Sequence, residues 1–117
     1  MKSLIIIAHG SKKEGSNNEV REIVNSIQTE NTIYDKIEVS FLEFATPTLE
    51  QSVKKCIEEK SNDITIYPYF LNSGKHVTYD IPNEIKIVGQ KYQDVTFTIL
   101  PHFGSSESIK KIILSDI

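Results

Sequence analysis

Leu4-Ile5-Ile6-Ile7-Ala8-His9-Gly10-Ser11 is the stretch on which the fold turns. Its apolar run, Leu4 to Ala8, stops at a histidine and a glycine. That is too short for the core of a secretory signal or for a membrane span, and about right for a strand buried on both faces. An unbroken run, with no polar alternation, is the pattern of a strand inside a parallel sheet. The expected setting is the cytoplasm, with no membrane partner.

Working outward, the same unit recurs three more times. After the first run, Val20, Ile23, Val24 and Ile27 fall at i, i+3, i+4 and i+7, one face of a helix. A second run, Ile37 to Leu42, is followed by Thr46-Pro47, expected to cap a helix whose stripe is Leu49, Val53, Cys56 and Ile57. The third run, Ile64 to Leu71, ends in Asn72-Ser73-Gly74, and Ile81, Ile85, Val88 and Tyr92 then return at helical spacing. Pro82 marks an early turn there. The fourth run, Val95 to Leu100, leads through Pro101-His102-Phe103-Gly104 to Ser105-Ser106-Glu107, which can cap a last short helix bearing Ile109, Ile112 and Ile113. Alternating strands and helices predict a flavodoxin-like three-layer α/β sandwich. Its four-stranded parallel sheet is covered on both faces, and the order allowed by right-handed crossovers is 2-1-3-4.

With 117 residues the chain is expected to form one domain, residues 1–117. Hydrophobic residues make up 38% and charged residues 25%, an ordinary globular balance. A net charge of −3 with no basic block argues against a nucleic-acid partner. The single cysteine, Cys56, has no partner for an intrachain disulfide or a cysteine metal cluster, and its spacing makes it a core residue.

In that strand order the first and third strands are neighbours, about 4.8 Å apart, and ligands bind at their carboxyl ends. His9 directly follows the first strand, and His76 lies beyond the third. Two imidazoles there can face one cavity and hold one metal ion, and Glu43, ending the second strand, can add a carboxylate. His102 ends the fourth strand at the same edge, with a loop-packing role the simpler reading. Gly10-Ser11 stands alone, without Gly-Lys-Ser/Thr or GxGxxG, so nucleotide binding has little support. Lys12, Lys13 and Lys75 near the mouth can draw in an anion.

His9-Gly10-Ser11, Glu43-Phe44-Ala45-Thr46-Pro47-Thr48-Leu49 and the segment Pro68 to Pro82 together resemble the small CbiX-type sirohydrochlorin chelatases. These are related to the siroheme ferrochelatase and the archaeal nickel-sirohydrochlorin chelatase. The resemblance covers nearly the whole chain. It is most specific in the third segment, where Gly74, His76, Asp80 and Pro82 stand at set distances. It implies insertion of Co²⁺, most expected, or Fe²⁺ or Ni²⁺ into sirohydrochlorin without ATP. It implies no permanently bound cofactor, and a homodimer. It also implies catalytic roles for His9, Glu43 and His76, metal contacts from His9 and His76, and substrate contacts from Thr46 and from Leu71, Asn72, Ser73, Gly74, Lys75 and His76. Relatives often carry an acidic residue where Thr46 stands.

The chemistry implied is proton removal coupled to metal transfer. A neutral histidine can ligate a metal or take a proton near neutral pH. His9 is expected to accept pyrrole protons and contact the metal, with His76 as second ligand and Glu43 orienting a histidine or helping to remove protons. The Asn72-Ser73-Gly74 turn is expected to let the backbone approach the macrocycle. Three other functions compete with this one. A histidine phosphatase wants an arginine just before the histidine, where Ala8 stands. A response-regulator-like module wants a phosphoacceptor aspartate ending the third strand, where Leu71-Asn72 stand. A non-catalytic metal or tetrapyrrole carrier needs the same ligands and stays open from sequence alone.

Overall fold

The structure is a computed structural model describing residues 1–117. Four strands, β1 (Lys2–Ala8), β2 (Lys36–Phe41), β3 (Asp63–Pro68) and β4 (Thr96–Ile99), alternate with four helices. These are α1 (Glu14–Glu30), α2 (Leu49–Glu58), α3 (Ile81–Lys91) and α4 (Ser108–Asp116). The sheet is fully parallel in the order β2-β1-β3-β4, as the crossover argument requires. β1 is the central strand. Leu4 pairs with Ile37 on one side, and Ile5 with Ile66 on the other.

Period-2 alternation splits the apolar run of β1 between two cores. Ile5 and Ile7 join Ile64 and Ile66 of β3 under Leu49, Val53 and Cys56 of α2 and Ile81, Ile85 and Val88 of α3. Leu4 and Ile6 join Ile37 of β2 under Val24 of α1. Each fully buried aliphatic side chain contributes about 1.5–3 kcal/mol, so the larger core under α2 and α3 dominates stability.

Three local expectations change. The cap of α2 is Thr48, not Thr46. The Thr48 hydroxyl accepts the Gln51 backbone N–H at 3.2 Å, and the Gln51 side chain accepts the Thr48 N–H at 2.9 Å. This reciprocal capping box satisfies two helix-end donors at once, which Thr46 cannot do because Leu49, three residues on, has no side-chain acceptor. The second change concerns His76, which precedes the helical stripe beginning at Ile81 yet is itself helical. It opens a π-helical turn, His76–Asp80, that runs straight into α3, with the Ile81 N–H bonded to the His76 carbonyl. Pro82 has no N–H to offer that turn, and a widened turn accommodates the missing rung. Third, the sheet is not fully covered on the α1 side. α4 packs no residue into the core, and Ile112, Ile113 and Leu114 are all more than half exposed.

The turn from β1 into α1 is tightly built. Gly10 has φ +92°, and a Cβ there would run into the backbone carbonyl of Glu43. Only glycine satisfies both conditions. Gly10→Ala is expected to cost about 1–3 kcal/mol, read as a lower urea midpoint with an unchanged slope. An unaltered midpoint would show that the β1–β2 loop contact is not tight.

Candidate metal centre

The β1–β2 ladder does not stop where the strands do. The Leu42 N–H bonds to the Ala8 carbonyl at 2.9 Å, and the Glu43 N–H to the His9 carbonyl at 2.8 Å. This extension sets His9 beside Glu43, and the side chains meet with His9 Nε2 3.0 Å from Glu43 Oε2. The other ring nitrogen, Nδ1, lies 2.9 Å from the Gly10 carbonyl oxygen. Both ring nitrogens therefore face acceptors. A carbonyl oxygen can only accept, so Nδ1 carries a proton. Nε2 faces the Glu43 carboxylate across a gap that a proton or a metal cation can bridge, so the two compete for one place.

His76 reaches the same space from the far side of β1. Its ring centroid is 5.0 Å from that of His9. Its Nδ1 is 2.7 Å from Asp80 Oδ2, one helical turn on. In the neutral ring, donation of Nδ1–H to Asp80 puts the free lone pair on Nε2, the atom a metal would take. One ligand atom each from His9, Glu43 and His76 lie within 4.8 Å of one another. All three side chains are between a third and half exposed. Two nitrogens and one oxygen at an open surface suit a borderline divalent ion with coordination positions to spare.

The segment after β3 forms the adjoining floor. Phe70, Leu71, Asn72, Gly74, His76 and Val77 line a shallow hollow of about 260 Å³. Ser73 and Lys75 are exposed beside it. Gly74 has an ordinary φ and open space where a Cβ would sit, so what this position contributes is room, not an unusual backbone conformation. Lys12 and Lys75 stand at the rim, with Lys12 Nζ 5.3 Å from the Phe44 ring and Lys75 Nζ 6.0 Å from the Tyr79 ring. Thr46 is exposed, and its carbonyl is taken by Arg21 at 3.0 Å. His102 is not part of the three-residue cluster; its carbonyl accepts from Ser105.

Three contributors have positions whose part in the site the motifs did not assign. Asp80 orients His76, and an aspartate four residues after a histidine on helical sequence is the signal that finds it. Phe44 is a non-glycine residue at φ +65°, half exposed, with its ring 6.1 Å from His9. Asn17, fully buried on α1, clamps Ser11 through two bonds, accepting its N–H at 2.9 Å and donating to its carbonyl at 2.8 Å. That clamp holds the His9-Gly10-Ser11 turn in place.

Fold and site together define a parallel α/β protein that presents two imidazoles and a carboxylate to one ion-sized space at the carboxyl edge of its sheet. The chain belongs to the CbiX family, whose model matches residues 3–117. It is 39% identical over 89 residues to the sirohydrochlorin cobaltochelatase of Methanococcus maripaludis, covering 76% of this chain and 59% of that protein. To the sirohydrochlorin ferrochelatase of Priestia megaterium it is 36% identical over 118 aligned positions, covering 100% of this chain and 44% of that protein. The solved structure of the sirohydrochlorin chelatase SirB from Bacillus subtilis subspecies spizizenii, in complex with cobalt, superposes with a TM-score of 0.88 at 26% identity. That match covers 100% of this chain and 51% of the other. The chain thus spans about half the length of the curated relatives it matches.

Glu84, one turn beyond Asp80, has its carboxyl held above the ordinary glutamate range by burial, and secondarily by the charges of Glu50 and Asp80. The folded chain therefore holds this proton more tightly than the unfolded chain. Its contribution to stability is complete below the ordinary glutamate range and is lost as pH rises through that range to the raised folded value. Glu84→Gln is expected to raise the melting temperature at about pH 7 and to leave it unchanged near pH 3. An equal shift at both values would mean that charge is not the cause.

Proposed function

We propose that this chain inserts a divalent metal ion, Co²⁺ first and Fe²⁺ or Ni²⁺ as alternatives, into sirohydrochlorin without ATP. The observation that carries the reading is the convergence of His9, Glu43 and His76 within 4.8 Å, from the residues just past β1 and β2 and from the turn that opens α3, at an open surface. The similarity to sirohydrochlorin cobaltochelatases and ferrochelatases supplies the substrate class. The metal is a substrate here, so a site with few ligands and ready access serves transfer better than a closed four-ligand cage.

In this reading the exposed faces of Phe44, Leu71 and Val77 meet the flat macrocycle, while Lys12 and Lys75 pair with its peripheral carboxylates. Backbone groups of Asn72, Ser73 and Gly74 approach its edge. His76, oriented by Asp80, and His9 hold the incoming cation. Insertion exchanges two pyrrole N–H protons for one dication. His9 Nε2 takes the two protons from the macrocycle one after the other as the metal leaves it, and Glu43, 3.0 Å away, relays each outward to solvent. Four new metal–nitrogen bonds drive the exchange, so no nucleotide is needed. The reading includes a cytoplasmic homodimer, as in the short chelatases this chain resembles. No helix is long and apolar enough to cross a membrane.

The purified chain, mixed anaerobically with sirohydrochlorin and each of the three metals, is expected to accelerate the change in visible absorption over a protein-free control. His9→Ala and His76→Ala should each slow it roughly a hundredfold or more, with circular dichroism unchanged. No acceleration with any of the three metals overturns the proposal. Asp80→Asn should weaken Co²⁺ binding by roughly tenfold or more, measured by titration without the tetrapyrrole. Unchanged affinity would reduce Asp80 to a helix-end residue.

A further inference from the structure

The first two turns of α1 carry four polar residues, Glu14, Asn17, Asn18 and Arg21, at i, i+3, i+4 and i+7. That spacing puts them on one face of the helix. Val20 and Val24 of the same helix pack on the sheet. The polar stripe has a different set of partners, the two loops that carry His9 and Glu43.

Its bonds run without a break from one loop to the other. Asn17, almost fully buried, clamps Ser11, two residues past His9. The Asn17 amide also donates to Glu14 Oε2 at 3.1 Å. The other Glu14 oxygen takes the Arg21 guanidinium, whose Nη1 donates in addition to Asn18 Oδ1 at 2.8 Å. Arg21 Nη2 then crosses to the Thr46 carbonyl at 3.0 Å, three residues past Glu43. The guanidinium carbon lies 5.0 Å from the centre of the Phe41 ring, which supports the group from a further side. Hydrogen bonds, first from Asn17 and then from Arg21, hold the Glu14 carboxyl below the ordinary glutamate range.

The loop beyond Glu43 needs such a hold. Its ends are fixed by backbone bonds, Leu42 and Glu43 donating to Ala8 and His9, and the Phe41 N–H donating to the Pro47 carbonyl at 2.9 Å. Between those ends, the bond from Arg21 is the one hydrogen bond made by the backbone of residues 44–46. Phe44 stands there at φ +65°, a conformation that a residue with a Cβ keeps only where its surroundings fix it. An exposed ion pair adds little to stability, so the value of Arg21 lies in placement. The planar fork lets one nitrogen stay on α1 while the other reaches the loop.

We infer that Arg21, anchored by Glu14, is a positioning residue that sets the Glu43 carboxylate against His9 Nε2. It ties the loop beyond Glu43 to the helix whose first turn already clamps the loop beyond His9, so the metal substrate meets a preset gap. The inference rests on the chelatase reading and extends it to a residue that bonds to none of the three donor side chains.

Co²⁺ affinity, titrated without the tetrapyrrole, tests this in the unaltered chain, Arg21→Met, Glu43→Gln and the double variant. Methionine keeps an apolar stem over Phe41 and removes every donor. Arg21→Met should weaken Co²⁺ binding about tenfold. Loss of a positive charge would by itself strengthen cation binding, so a general charge effect has the opposite sign. In the Glu43→Gln background the same change should cost less than about twofold, because the carboxylate that Arg21 places is gone. Equal losses in both backgrounds would overturn the inference, and so would an unchanged affinity in Arg21→Met. If Arg21→Met lowers the urea midpoint, Glu14→Ala at its exposed position takes its place in the same cycle. Its loss should again depend on Glu43, and a loss independent of Glu43 overturns the inference. The rate with sirohydrochlorin judges the chelatase reading and the Co²⁺ cycle judges Arg21, so each can fail alone.

Discussion

The pairing of β1 between β2 and β3, carried one step past the strand ends, is the constraint on which the site depends. The Leu42 N–H on the Ala8 carbonyl and the Glu43 N–H on the His9 carbonyl continue the ladder after the strands have formally ended. That continuation is possible only because Gly10, at φ +92°, lets the chain turn away while Glu43 lies against it. The carboxylate and imidazole are then neighbours by backbone register, before any side-chain interaction is considered. His76 comes from the other flank of β1, and its approach depends on β3 being the adjacent strand.

Each donor in the cluster is held by something outside it. Gly10 receives His9 Nδ1–H, Asp80 receives His76 Nδ1–H, and the Phe44 backbone at φ +65° sets the residue after Glu43. Asn17 fixes the turn that carries His9 to the first helix of the domain. Such partners place the ligand atoms without closing the site, because they act from behind. The result is a preorganised but half-exposed set of donors. That balance fits an ion that is accepted from solvent and handed on. A buried four-ligand site would bind more tightly and release more slowly.

The two faces of the sheet are built differently, and the difference has consequences. α2 and α3 seal one face with ten buried apolar residues, including Cys56. On the other face only four are buried, all close to α1. β3 and β4 therefore keep an uncovered side, where the tyrosines of β3 and its following loop meet Phe103.

The order of apolar runs and helical stripes was enough to specify the class of fold. Hydrophobic periodicity reports which residues must leave water, and for Leu4 to Ala8, buried on both faces, it also marks a central parallel strand. The strand order followed from handedness, and His9, Glu43 and His76 could be named because they follow the first, second and third strands, whose carboxyl ends this order brings together. The remaining features belong to contacts between segments far apart in sequence. An unbroken isoleucine run does not say which side chains face α1 and which face α3; register with Ile37 and Ile66 settles it. Thr48 replaced Thr46 as the helix cap because a reciprocal bond with Gln51 is worth more than a single capping hydroxyl. A stripe such as Ile109, Ile112 and Ile113 shows that a helix has an apolar face, but periodicity is a one-dimensional signal. Where that face lies is decided by the turn after Phe103, in which Gly104 packs on the Leu71 backbone so closely that no Cβ fits.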